Sequence, residues 1–380
     1  MKVRDRHILQ YKYLRKTVKP FLKRLFRFEY EEVQCPEGPT LVLVNHVMDL
    51  DPALVALSFP QHMYFVASEH VYRLRVISMI IRYLLAPIAR VKGRRDARTV
   101  AEVFRALKGG SNVCIFAEGN RTFNGETGEI LSSTGKMVYK SGANLVTYRI
   151  EGGYLTQPRW AKSLRRGHTR GRVVGMYTAE TLREMTAEQV NALIVRDLYE
   201  DAYARQRENP IPYKGKSLAE DIQIAAYICP HCKQIGTIKS YGSRFSCACG
   251  MQGVYTEYGF LEGELLPFTT MIQWDAWQME ELKRIVDAAG SEPIFSSINQ
   301  NLFMVEPGVR NRLLVNGTLQ IYKDRICFED YVFEFSEISD MAIYGRMTLV
   351  FSSKQGNQYE IKSSYPRSAC VYYQIYLLMR

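Results

Sequence analysis

Through the first half of the chain, short apolar runs alternate with segments in which apolar residues recur three and four apart. Thr40 to Val47 (TLVLVNHV) is apolar and rich in β-branched residues, and Asp51-Pro52 then opens a helical stretch, Ala53 to Ser58. The alternation continues with predicted strands at Met63 to Ala67, Asn112 to Ala117, Asn144 to Ile150 and Gly171 to Tyr177. Helices are predicted at Val76 to Leu85, Ala97 to Leu107, Lys136 to Ser141 and about Ala187 to Gln206. Strands alternating with helices predict an α/β layer on a largely parallel sheet. The breaker-rich run Glu208-Asn-Pro-Ile-Pro-Tyr-Lys-Gly closes this region.

A cysteine cluster follows at residues 229 to 249, then a predicted helix from Trp274 to Ala289. From Leu302 onward short alternating runs take over: Arg312 to Val315, Thr318 to Tyr322, Arg325 to Glu329, Tyr331 to Phe335, Met341 to Tyr344, Thr348 to Phe351 and Gln358 to Ile361. Asn-Gly, Lys-Asp, Glu-Asp, Tyr-Gly and Gln-Gly-Asn turns separate them, so a small antiparallel β unit is expected. A closing helix, Ala369 to Met379, completes it, and the strand count with a terminal helix resembles a pleckstrin-homology-like fold.

The first 27 residues hold ten basic residues against one acid, Asp5, and the apolar residues between them are spaced three and four apart. This predicts a basic amphipathic helix with a kink at Pro20, suited to an anionic membrane surface, or else an ordinary surface helix packed on the body. Overall the 380 residues carry a formal charge of +11, with 47% hydrophobic and 23% charged residues. That composition excludes a disordered chain and a channel-like membrane protein. No run reaches the roughly 18 apolar residues of a spanning helix; the best, Val76 to Ala89, is broken by Arg82 and contains Pro87. With no secretory-type apolar core at the start, a cytoplasmic protein, peripheral on the cytoplasmic face of the membrane, is expected.

Two segments carry candidate chemistry. Asn45-His46-Val-Met-Asp-Leu-Asp51-Pro52 follows directly on an apolar strand. A histidine there is able to take a proton from a hydroxyl, and a carboxylate one turn away is able to orient the ring. Asp51 before Pro52 equally fits a helix N-cap, with His46 an incidental loop residue. Phe116-Ala117-Glu118-Gly119-Asn120-Arg121-Thr122 also follows a strand, at the edge where ligands bind in α/β sheets. Arg121 offers a planar fork for a phosphate or carboxylate, and Glu118 a carboxylate to hold that fork or a substrate hydroxyl. A tight Gly turn with a surface ion pair reads the same residues.

Together the two segments resemble the glycerolipid acyltransferase family. The N-H-x-x-x-x-D signature matches at Asn45, His46 and Asp51, and F-P-E-G-x-R-[ST] matches at Phe116, Glu118, Gly119, Arg121 and Thr122, with Ala117 in the proline position. An apolar run ending in arginine is represented by the segment holding Arg90, Lys92 and Arg94, and the fourth signature only by the strand Leu145 to Ile150 followed by Glu151-Gly152-Gly153. The resemblance spans about residues 35 to 205. It implies that His46, oriented by Asp51, deprotonates the hydroxyl of a lysophospholipid, with lysophosphatidic acid as the expected acceptor, so that the alkoxide attacks an acyl thioester. It also implies that Asn45, Arg90, Lys92, Arg94, Glu118, Gly119, Arg121 and Thr122 bind substrate, and that the donor is acyl-CoA or an acyl carrier protein. A further basic run, Arg159, Lys162, Arg165, Arg166, Arg170 and Arg172, suits lipid headgroups or donor phosphates, or is a solvated loop.

Cys229-Pro-His-Cys232 and Cys247-Ala-Cys249-Gly250 have the paired spacing of a zinc ribbon, so a structural Zn2+ is expected on Cys229, Cys232, Cys247 and Cys249, with His231 an alternative ligand. The expected organisation is a membrane-contact segment at 1–30, a catalytic domain at 31–207, a linker at 208–224, the ribbon at 225–260, a helical connector at 261–300 and a β domain at 301–380. A nucleic-acid-binding ribbon is the rival reading, but from Tyr227 to Glu257 only Lys233, Lys239 and Arg244 stand against Glu257, so no nucleic-acid partner is expected. A catalytically inactive lipid-binding scaffold is the other rival, and the intact His46, Asp51, Glu118 and Arg121 argue against it.

Overall fold

The computed structural model describes residues 3–68, 83, 85–90, 97–305 and 311–380. The described residues form two compact units: those within 3–90, 97–159 and 164–214 make the first, and those within 160–163 and 215–380 the second. No described helix is long and apolar enough to cross a membrane.

The first unit is built on a seven-stranded sheet of β1 (Phe28–Tyr30), β2 (Thr40–Val44), β3 (Met63–Ser68), β4 (Ile88–Arg90), β5 (Asn112–Phe116), β6 (Asn144–Glu151) and β7 (Thr169–Tyr177). Their spatial order is β1-β7-β6-β2-β5-β3-β4. From β6 to β4 every neighbour is parallel, whereas β7 runs antiparallel to β6. Every residue of β2 is buried, as a central parallel strand covered on both faces requires. Its alternation feeds two cores. Val42 and Val44 pack with Leu54, Phe59 and Tyr148, while Leu41 and Leu43 pack with Val103, Leu145 and Ile194. Each fully buried side chain of this kind contributes on the order of 1.5–3 kcal/mol over leaving it exposed.

Three expectations change in this unit. Helix Val3–Phe26 runs continuously through Pro20, and Tyr11, Leu22 and Phe26 bury themselves in the Val42/Val44 core. Tyr11 Oη also donates to the Phe59 carbonyl at 2.9 Å. Much of the apolar stripe read as membrane-facing therefore packs on the body. The long helix expected from Ala187 to Gln206 is two helices, Ala187–Leu198 and Ala202–Glu208, because the Asp201 side chain caps the second by accepting the N–H groups of Tyr203 and Ala204. Gly171 to Tyr177 does form part of a strand, which runs antiparallel to β6 and parallel to β1. Most of the helix expected at Val76 to Leu85 lies outside the described residues.

The second unit begins with an antiparallel ribbon of β8 (Ile238–Tyr241), β9 (Arg244–Cys247), β10 (Gln252–Tyr255) and β11 (Leu261–Glu262). Helix Met271–Ala288 follows, opened by a Thr270/Gln273 capping box, and its fully buried Trp274 donates Nε1–H to the Ile228 carbonyl at 3.0 Å. Seven antiparallel strands come next: β12 (Phe295–Val305), β13 (Arg312–Ile321), β14 (Arg325–Phe328), β15 (Tyr331–Glu334), β16 (Ile338–Tyr344), β17 (Thr348–Ser353) and β18 (Gln358–Ser363). Their order is β15-β14-β13-β12-β18-β17-β16. The sheet curls into a half-barrel, bringing Phe333 of β15 to within 5.0 Å of Phe351 of β17, ring centre to ring centre.

Helix Ala369–Leu378 packs on β16 and β17. β12 starts at Phe295, inside the segment expected to be a helical connector, and β13 joins what the sequence divides into two short strands. Asn316-Gly317, read as a turn, lies within β13 and pairs with Asn301 and Gln300 of β12, while the neighbouring register shift puts the extra residue in β12, between Ser297 and Gln300.

Candidate functional site

Parallel pairing of β2 with β5 sets Val44 against Phe116, so the two chains leave the sheet at the same level. Two residues further on stand His46 and Glu118. The Glu118 carboxylate then ties the loops together: Oε1 accepts the His46 N–H at 2.6 Å and Oε2 accepts the Gly128 N–H at 2.6 Å. Thr122 adds a second tie by donating its N–H to the His46 carbonyl at 3.3 Å, and its Oγ1 organises the following turn through Asn124 and Gly125.

His46 Nδ1 lies 2.9 Å from Asp51 Oδ2, and the same oxygen accepts the N–H groups of Val47 and Met48 at 2.7 and 2.9 Å. Asp51 is the first residue of helix Asp51–Ser58, with Leu50 in the cap position and no side-chain cap bond, so its carboxylate turns back onto the loop instead of capping the helix. An ionised carboxylate only accepts. Nδ1 therefore carries the imidazole proton, and Nε2 is the basic nitrogen. Phe116 stacks on the ring at 4.6 Å and fixes its plane. Asp51 is fully buried, whereas the His46 side chain remains partly exposed.

The residues assigned to substrate binding divide. Asn45 is fully buried and both ends of its amide are engaged by Ile150, Nδ2–H donating to the carbonyl at 3.0 Å and Oδ1 accepting the N–H at 2.8 Å. It clamps β2 to β6. Glu118 holds backbone rather than Arg121, and Arg121 pairs with Asp49 at 3.2 Å. Arg90, at the end of β4, reaches the same loop: a Cβ on Gly119, where φ is +69°, would sit 2.7 Å from Arg90 Nη1. Lys92 and Arg94 lie outside the described residues.

The later basic run is not one patch. Arg159 and Arg165 are buried, with Arg159 donating to the Arg121 carbonyl at 2.9 Å and covering the Phe123 ring, while Arg172 pairs with Glu151 at 2.7 Å. Sequence reasoning missed Asp49 and Gln157, and of Phe116, matched only as part of a signature, it missed the stacking on His46. Asp49 was visible inside the first signature, but no local pattern announces Gln157, whose partner is 108 residues away.

In the second unit, the sulfurs of Cys229, Cys232, Cys247 and Cys249 lie within 4.8 Å of one another, and among the described residues the cluster is these four, without His231. Two pairs, Cys229–Cys249 and Cys232–Cys247, stand at 3.7 Å. A disulfide would need about 2.05 Å. Tetrahedral zinc with Zn–S bonds of about 2.3 Å separates its ligands by about 3.8 Å, so the donor set and spacing suit that ion. Burial pushes the Cys229 thiol up, against N–H groups of Cys232 and His231 aimed at its sulfur, an arrangement in which a bound cation favours the thiolate.

Burial also pushes the Glu118 carboxyl up, to about 8; the N–H groups of Gly128 and His46 oppose the shift and Asp51 adds to it. The folded state thus holds this proton more tightly than the unfolded chain. Stability from that proton is complete below the ordinary carboxylate range and is lost as pH rises through about 8. Glu118→Gln, uncharged at every pH, should remove that pH dependence: near neutrality, where native Glu118 keeps its proton, the variant should lie within about 1 kcal/mol of wild type, and the comparison should move in its favour as pH rises through about 8. Equilibrium urea unfolding of the two proteins from pH 4 to 9 measures both.

Residues 26–151 match the protein-family model described as Acyltransferase. Among solved structures, the 1-acyl-sn-glycerophosphate (LPA) acyltransferase PlsC from Thermotoga maritima is similar over 50% of this chain and 79% of its own, at 20% identity and a TM-score of 0.41. The matched segment contains β2, β5 and β6 and both loops of the site. The part of the first unit that matches the Acyltransferase family model is the part that holds the site.

Proposed function

We propose that the protein transfers a fatty acyl group from an acyl thioester to the hydroxyl of a lysophospholipid, with lysophosphatidic acid as the acceptor and acyl-CoA or an acyl carrier protein as the donor. The observation that carries this reading is the His46 Nδ1 to Asp51 Oδ2 contact at 2.9 Å, set at the sheet edge beside Arg121 within a matched acyltransferase segment. His46 Nε2 removes the acceptor proton as the hydroxyl oxygen bonds to the thioester carbon. The tetrahedral intermediate then expels the sulfur, which takes the proton back from the imidazolium as the C–S bond breaks. Asp51 positions the ring and offsets its transient charge. Arg121 and Arg90 supply cations for the acceptor's phosphate, and Glu118 and Asn45 hold the loops that present them.

The four cysteines would hold one structural Zn2+ that closes the ribbon, remote in role from acyl transfer. For membrane contact we propose the outward face of helix Val3–Phe26, on the cytoplasmic side. Lys12, Lys16, Lys23 and Arg24 are exposed there, and Tyr13 and Phe21 are each 63% exposed. Arg4, Arg15 and Lys19 instead engage the body through Gly109, Leu57 and Glu32.

His46→Ala should lower acyl transfer by about 10² to 10⁴ with only a small drop in the thermal melt, because Asp51 Oδ2 keeps the N–H groups of Val47 and Met48 when the ring is gone. Product formation from labelled acyl-CoA and a lysolipid panel measures it, and near-wild-type turnover rejects the base assignment. Metal analysis of protein purified without chelator should find one zinc per chain, reduced to none in Cys229→Ser/Cys247→Ser. Reversing Lys12 and Lys16 to Glu together with Phe21→Ser should weaken binding to phosphatidylglycerol vesicles at least about tenfold, since each cation near such a surface contributes on the order of 1 kcal/mol. Deleting the whole helix is the poorer test, because it would strip Tyr11, Leu22 and Phe26 from the core.

A further inference from the structure

Arg121, assigned above to the acceptor's phosphate, already faces an anion of its own chain. Asp49 Oδ1 lies 3.2 Å from Arg121 Nη2, and the two side chains differ sharply in exposure, 8% for Arg121 against 62% for Asp49. Asp49 is also held from behind. Gln157 Oε1 accepts the Asp49 N–H at 3.1 Å, and Gln157 Nε2 donates to Asp49 Oδ2 at 2.8 Å. Gln157 itself ends helix Gly153–Thr156, its N–H bonded to the Gly153 carbonyl at 2.9 Å. One carboxylate oxygen thus meets the arginine and the other the amide, an arrangement more restrained than a solvated surface pair.

We propose that Asp49 is a resident counter-anion of the acceptor site: it neutralises Arg121 until an anionic head displaces it, and so sets how the site ranks head groups by charge. The inference rests on the acyltransferase reading for the identity of the ligand, and on the geometry for the competition itself. Any phosphate approaching the Arg121 fork meets the Asp49 carboxylate at the same guanidinium. A phosphomonoester, with close to two negative charges at pH 7, meets more repulsion than a phosphodiester with one. Asp49 therefore weakens dianion binding most, while its neighbour His46 is three residues away in the same loop and keeps its own partner, Asp51.

The probe is sn-glycerol 3-phosphate, titrated by calorimetry into wild type, Asp49→Asn, Arg121→Gln and the double variant at low salt. Asparagine keeps the size and an oxygen for Gln157 Nε2–H. Its dissociation constant for the probe should fall about two- to fivefold, the factor an exposed ion pair supplies, and the gain should shrink in high salt. Arg121→Gln should abolish binding, and adding Asp49→Asn to it should restore nothing. Equal or weaker binding by Asp49→Asn, a gain that persists without Arg121, or no detectable binding by any form overturns the proposal.

Turnover is assayed in parallel with lysophosphatidic acid and a neutral-headed monoacylglycerol, and the ratio of their kcat/KM values should shift toward the anionic acceptor in Asp49→Asn. Tighter probe binding without acylation of any acceptor rejects the acyltransferase reading and leaves the counter-anion standing. Acylation with unchanged probe affinity does the reverse.

Discussion

The site depends on one constraint, the parallel register that places Val44 of β2 beside Phe116 of β5. Because parallel strands point the same way, the loops that follow them emerge together, and equal spacing brings His46 and Glu118 to the same height. A shift of one residue would turn each strand's buried set to the opposite face, and the two separate cores of β2 penalise that in both directions. Chemistry is thus held by packing at the strands and not by the loops themselves.

Inside that frame, buried polar groups do the local positioning. Asp51 Oδ2 gathers two backbone N–H groups and the imidazole, and Glu118 bonds backbone through both of its oxygens. Carboxylates taken out of water are costly unless such donors surround them. Removing any one donor would leave a buried carboxyl oxygen short of a partner, so the loops have little freedom to drift. Rigidity of this kind suits the base role proposed for His46, since proton transfer falls off with small errors in distance and direction.

The second unit solves a different problem. Its four-stranded ribbon has short strands and a small core, and its four thiols converge where the turns at Cys229 and Cys247 meet, so a metal bound there would order both turns. Trp274, from the following helix, covers the ribbon through Phe245 and the Ile228 carbonyl. Arg346, at the β16–β17 turn, pairs with buried Asp221 and donates to the Trp160 carbonyl at 2.8 Å, knitting the half-barrel to the start of the unit.

The sequence by itself determined the features set by local spacing: the α/β alternation, the His46 and Asp51 pair one turn apart, the paired cysteines, and the antiparallel runs near the C-terminus. Each follows from neighbours within a few residues, where periodicity and spacing carry the information. Only the tertiary structure decided that Asn45 clamps Ile150, that Glu118 serves backbone while Arg121 faces Asp49, and that Leu22 and Phe26 belong to the core. Those outcomes join residues 72 to 105 positions apart, or choose between two surfaces that an amphipathic helix is equally able to cover. The physical reason is the same in both cases: a side chain's partner is fixed by which strand lies beside its own and which face is already covered, and neither is written in the local pattern.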